Sequence, residues 1–225
     1  MACYSFVPKS DVPIKIIVLD DTVKGPDQPD YAAGALDDAR YQWLVGELDA
    51  GQAANQLMII AAHVPIKPQN NLTNTAPVNM WPGPEYTDDY VLNTLHRYPN
   101  LILWMAGHRH MNVITPQPDP HGDPLLGFWE VETCSLRDFP QQFRTFEIQR
   151  NADNTLSIVV TNVDPAVVPG SPAYNSRGYA IGAARIFGAT ATSIEDTTSH
   201  AYNAELVVQL TPVMQSVIAH AGKRS

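Results

Sequence analysis

Two short stretches carry residue types that can do chemistry. In Asn100–His110 an uncharged run, Leu101–Ala106, ends at Gly107, and His108-Arg109-His110 follows. In the second stretch, Gln56–Ala62 is a similar apolar run and His63-Val64-Pro65 follows it without a break. Both runs read as buried strands, because neither carries a charge nor alternates. The two stretches also resemble each other: Met-Ile-Ile-Ala-Ala-His at Met58–His63 and Leu-Trp-Met-Ala-Gly-His at Leu103–His108. If the strands are parallel neighbours, His63 and His108 lie at one edge of one sheet, the edge where open α/β sheets place their ligands. Neutral imidazole is a common ligand for zinc, manganese and iron. His63, His108 and His110 on rigid strand ends are therefore read as candidate metal ligands.

The remaining chemical candidates are weaker. Arg109, between two of those histidines, would be a contact for an anionic substrate or an ordinary surface charge. Asp20-Asp21 closes the β-branched run Pro13–Leu19 and reads first as a strand-end turn with side-chain hydrogen bonds to the backbone. As a second reading, Asp20 or Asp21 supplies an extra metal ligand or base. His96, His121, His200 and His220 are read as ordinary surface or satisfied histidines, with His96 late on an exposed helix. No nucleophile elbow, phosphate-binding glycine loop, dinucleotide fingerprint or His-Glu-x-x-His helix occurs.

The elements that must position these residues follow from pattern. Leu36–Leu48 has near-helical apolar spacing, with Trp43 as a core anchor and Gly51 placed to end the helix. Thr87 caps a helix over Asp88–Arg97, with Asp88 and Asp89 in its first turn. Val23–Gly34 and Lys67–Pro84 read as loops, rich in the chain's 19 prolines. After His110, Met111–Thr115, Leu126–Thr133, Phe143–Gln149 and Leu156–Asn162 read as strands, the last two joined by a turn at Asn151–Asn154. Asp164–Pro172 is a proline-rich link, Gly178–Phe187 a loose helix or irregular segment, and Ala204–His220 a helix with a break at Pro212. Residues 1–163 therefore read as one α/β (α+β) unit of mixed β-sheet layers flanked by helices. Residues 164–225 read as a link and helical extension packing on it.

Bulk properties narrow the function. The 225-residue chain is 44% hydrophobic and 16% charged, enough for one sizeable core. A net charge of −9 makes nucleic acid a poor partner. It also means that phosphate-ester chemistry would need a cation to offset the chain's own field. Cys3 and Cys134 form no disulfide framework or structural zinc motif. Neither a signal peptide nor a membrane-spanning run is evident, so a cytoplasmic setting is the default expectation.

In this order the motifs resemble the calcineurin-like metallophosphoesterases. Gly107-His108-Arg109-His110 is similar to that family's closing Gly-His-x-His, and Ala62-His63-Val64-Pro65 to its preceding single-histidine motif. Ala39–Leu48 is similar to its Gln-x-Trp-Leu helix. The likeness covers about Pro13–Val163. It implies a two-sheet sandwich around a dinuclear centre, with His63 and His108 on one metal and His110 on the other, acting on phosphate esters. Ahead of His63, none of the family's earlier motifs, Asp-x-His, Gly-Asp-x-x-Asp and Gly-Asn-His, occurs. The chain thus resembles a C-terminal half of a metallophosphoesterase sandwich. A half-sandwich would expose an apolar sheet face, and a homodimer is the expected cover. The expected activity is hydrolysis of phosphodiesters or activated esters with a divalent zinc, manganese or iron ion. The alternatives are a non-catalytic remnant acting as an interaction module, or one half of a complementation complex.

Overall fold

The two apolar runs that end in histidine form adjacent parallel strands at the middle of a six-stranded sheet. The computed structural model describes residues 2–22, 33–69, 77–83, 85–186, 203–219 and 221. The sheet comprises β1 (Tyr4–Phe6), β2 (Ile14–Val18), β3 (Leu57–Ala61), β4 (Leu101–Ala106), β5 (Val113–Gln117) and β6 (Phe128–Glu132), in the order β1-β2-β3-β4-β6-β5. Strands β2, β3, β4 and β6 run parallel, and β1 and β5 are antiparallel edges. The lack of alternation in β3 and β4 has a simple cause: both faces of the sheet are covered. On one face lie α1 (Asp38–Ala53) and α2 (Asp88–Leu95), whose Leu44, Leu48, Val91 and Leu95 pack on Met58, Ile60 and Trp104. On the other lies a second antiparallel sheet of β7 (Phe143–Arg150), β8 (Leu156–Val163) and β9 (Ala204–Val208). There Ile59, Ile102 and Leu103 meet Ile158, Val160, Leu206 and Met214.

The mixed α+β class and the flanking helices are as the sequence indicates, but several details differ. The apolar face expected to need a second copy is closed by β7–β9 within the chain, so that ground for a homodimer is gone. Ala204–His220 is a strand followed by α4 (Pro212–Ile218), not one helix. Because β9 pairs with β8, residues beyond 163 complete the second sheet rather than forming only an appendage. The segment starting at Pro172 is a regular helix, α3 (Pro172–Ile186). Gly51 lies inside α1, where a Cβ would stand 2.5 Å from the Met58 sulfur, so it allows close helix–sheet contact rather than ending the helix. Trp43 is only half-buried at the rim of its cluster, while Trp81 and Trp104 are the deeply buried indoles. The predicted Thr87 cap is present, its hydroxyl accepting from the Tyr90 amide, and Asp37 caps α1 in the same way through the Arg40 amide.

Candidate metal centre

The parallel strands bring their C-terminal ends to one edge, and their hydrogen bonding continues beyond the strands. The Ala62 amide donates to Met105 O at 3.0 Å, Gly107 to His63 O at 3.0 Å, and Thr133 to Ala106 O at 2.8 Å. This pairing sets the two histidines side by side. Nδ1 of His108 stands 3.2 Å from Nε2 of His63, and the rings are nearly perpendicular at 87°.

Buried carboxylates hold the backbone of both turns. Asp21, fully buried, accepts from the amides of His63 (3.0 Å) and Val64 (2.7 Å). Glu132, 1% exposed, accepts from the Arg109 amide at 3.0 Å and from its guanidinium through both oxygens. Arg109 also donates to Gln69 O at 2.9 Å. Two residues earlier on the same face of β6, buried Glu130 accepts from the Ile66 amide and from Gln117, each at 2.6 Å. Both histidines of the closing motif adopt positive φ, +78° at His108 and +57° at His110. Such values are strained for these residues and persist only where the surroundings enforce them.

The electrostatics follow from burial. Desolvation pushes Asp21 up to about 7, against the opposing pull of the His63 and Val64 amides. Glu130 is likewise pushed up to about 7, and Glu132 is raised despite Arg109. His63 is lowered, first by desolvation and then by the positive charges His108 and His110 would carry. It is thereby held toward the neutral form that ligates metal.

The predicted site residues do not all converge. His63 and His108 do. His110 turns instead to Asp138, its Nδ1 2.7 Å from Oδ2. Arg109 is not a loose surface charge: Glu132 engages its guanidinium beneath the turn. Asp20 accepts from the Thr22 hydroxyl at 3.0 Å, the strand-end role, while Asp21 pins the His63 turn. His96 is buried rather than exposed, with Nδ1 2.8 Å from Leu126 O. His121 sits exposed in its turn, and His200 and His220 lie outside the described residues. Sequence reasoning missed Glu130, Glu132 and Asp138. In sequence Glu130 and Glu132 read as a solvent face, and only the cover on both faces of the sheet shows that they need internal partners.

Whether these residues suit a metal ion can be tested on the pair itself. Two nitrogens bound to one tetrahedral ion at about 2.0–2.1 Å stand about 3.3–3.4 Å apart. The observed 3.2 Å is compatible with that bite. Among the described residues, however, no group of three or more His, Cys, Asp or Glu side chains is placed to share one ion. The donors placed for one ion among the described residues therefore stop at these two imidazoles.

No protein-family model matches the sequence, and no curated protein does. Among solved structures, a dimetal phosphatase from Danio rerio is similar at 14% identity with a TM-score of 0.49. The match covers 72% of this chain and 57% of the phosphatase. The chain therefore spans a little over half of that protein. Among the described residues, no helix is long and apolar enough to cross a membrane.

Proposed function

We propose that the chain is a metal-dependent hydrolase of phosphate esters, acting on diesters or activated esters through a reduced histidine site. The observation that carries this reading is the His63–His108 pair, two imidazoles from adjacent strand ends with nitrogens 3.2 Å apart. The order of the histidine motifs, which resembles the metallophosphoesterases, supports the choice of phosphate ester. His63 and His108 would hold a divalent zinc, manganese or iron ion. When bound, such an ion supplies positive charge to the phosphoryl group and lowers the pKa of water.

The chain's own residues supply the order. Asp21 fixes the height of the His63 turn by holding two of its amides. Glu132 and Arg109 fix the next turn, so that the two imidazoles keep their spacing without help from substrate. The low affinity of His63 for a proton keeps it available as a ligand at neutral pH. In a chain of net charge −9, a cation at this corner is what would draw an anionic ester.

The test is hydrolysis of bis(p-nitrophenyl) phosphate with added Mn²⁺ or Zn²⁺. The expected result is activity that chelation abolishes and metal restores. His108→Ala should lower it at least about 100-fold, on the scale of losing a group that organises transition-state charge. Unchanged rates after chelation and in His108→Ala would overturn the proposal. A second reading, a non-catalytic interaction module, is favoured by one observation, the absence of a three-donor cluster among the described residues. Metal content near zero after metal-replete purification would support that reading instead.

A further inference from the structure

Resting on the reading of the histidine corner as the reactive site, we propose that Asp138 is a positioning residue for His110. It keeps the His110 proton on Nδ1 and leaves Nε2 as the basic nitrogen, and α3 holds Asp138 in place. Asp138 Oδ2 lies 2.7 Å from Nδ1 of His110. A carboxylate at that distance opposes a lone pair on Nδ1 and stabilises a proton there, which fixes the tautomer. The His110 ring meets a carboxylate, while the rings of His63 and His108 meet each other. Its strained φ of +57° directs the residue into this arrangement rather than a relaxed one.

The backbone of Asp138 is itself held: its amide donates to Ser135 Oγ at 3.2 Å, and its carbonyl accepts from the Gln141 amide at 2.9 Å. Its carboxylate also accepts from the exposed Arg137, whose Nε is 3.2 Å from Oδ1. From α3, Arg177 donates to the Pro140 carbonyl and lies over the Phe139 ring, 5.5 Å from its centroid. Ser176, also on α3, accepts from the Gln141 side chain at 2.9 Å. Arg177 is anchored in turn by Asp164 at 3.1 Å. A segment whose sequence suggested only a link and an extension therefore braces the 135–141 loop that reaches the histidine corner.

The experiment is ¹⁵N–¹H correlation of the histidine rings in the full chain, well above the imidazole titration range, with His110→Asn assigning the signals. The expected result is His110 in the Nδ1–H form. Asp138→Ala should move it to the Nε2–H form usual in water with the amide spectrum otherwise intact, and Arg177→Met should move it partly. Nε2–H in the native chain, or no change in Asp138→Ala, would overturn the proposal. Zinc titration separates this result from the function. A tautomer change in a chain that binds no zinc leaves the positioning role standing and removes the metal site. Zinc binding without a tautomer change does the reverse.

Discussion

His63 and His110 belong to one corner but are supported by carboxylates of opposite character. Asp21, which serves His63, is fully buried and grips the backbone through two amides. Asp138, which serves His110, has a side chain 40% exposed and meets the imidazole itself. The first arrangement sets where the His63 Cα sits, and its loss propagates into the fold. The second sets how a ring is protonated and costs little stability. The corner therefore combines a rigid pair, His63 and His108, with a third histidine held from a loop.

Substitutions can break that contrast, and the largest effect is expected at Glu132. Glu132→Ala leaves the mostly buried Arg109 without its counter-charge and should cost about 3–5 kcal/mol in urea unfolding. A loss under about 1 kcal/mol would show that the Arg109 turn is not held from β6. Next is Asp21→Ala, which orphans two amides at about 1–3 kcal/mol each. Set beside it, Asp138→Ala should cost no more than about 1 kcal/mol, as for an exposed ion pair. Equal losses at the two aspartates would erase the distinction between rigid and loop-held supports.

A pH dependence sharpens the same picture. Burial raises Glu130 from 4.5 to about 7 in the folded chain. Between those values the folded state holds a proton that the unfolded state has released. Stability is therefore greatest at the acid end and falls as pH rises toward 7, by at most about 1.4 kcal/mol per pH unit for this group. Asp21, also raised to about 7, adds to the same slope. Unfolding free energies measured from about pH 5 to pH 8 should decline, and Glu130→Gln should flatten the decline. An identical slope in the variant would exclude Glu130 as its source.

The legible parts of this molecule were those written in local pattern. Leu57–Ala61 and Leu101–Ala106 show their burial on both faces in composition, and the histidine after each shows which strand end matters. The Thr87 cap was readable for the same reason. What was not readable depended on distant partners. Gly51 resembles a helix stop until Met58 is known to press on it. Ala204–Val208 resembles the start of a helix because nothing local shows that β8 awaits an antiparallel partner. Glu130 and Glu132 resemble a solvent face, since the amides they satisfy lie in turns some 20 to 65 residues away in the chain. The direction of Arg109 was not readable because it is set by Glu132, which the motif does not contain.

The central claim, that His63 and His108 form a metal bite, is tested most directly by calorimetric titration of the metal-stripped chain with Zn²⁺ or Mn²⁺. The account predicts binding of roughly one ion per chain, lost in both His63→Ala and His108→Ala while each variant keeps its fold. No binding by the native chain, or native affinity in either variant, would contradict it.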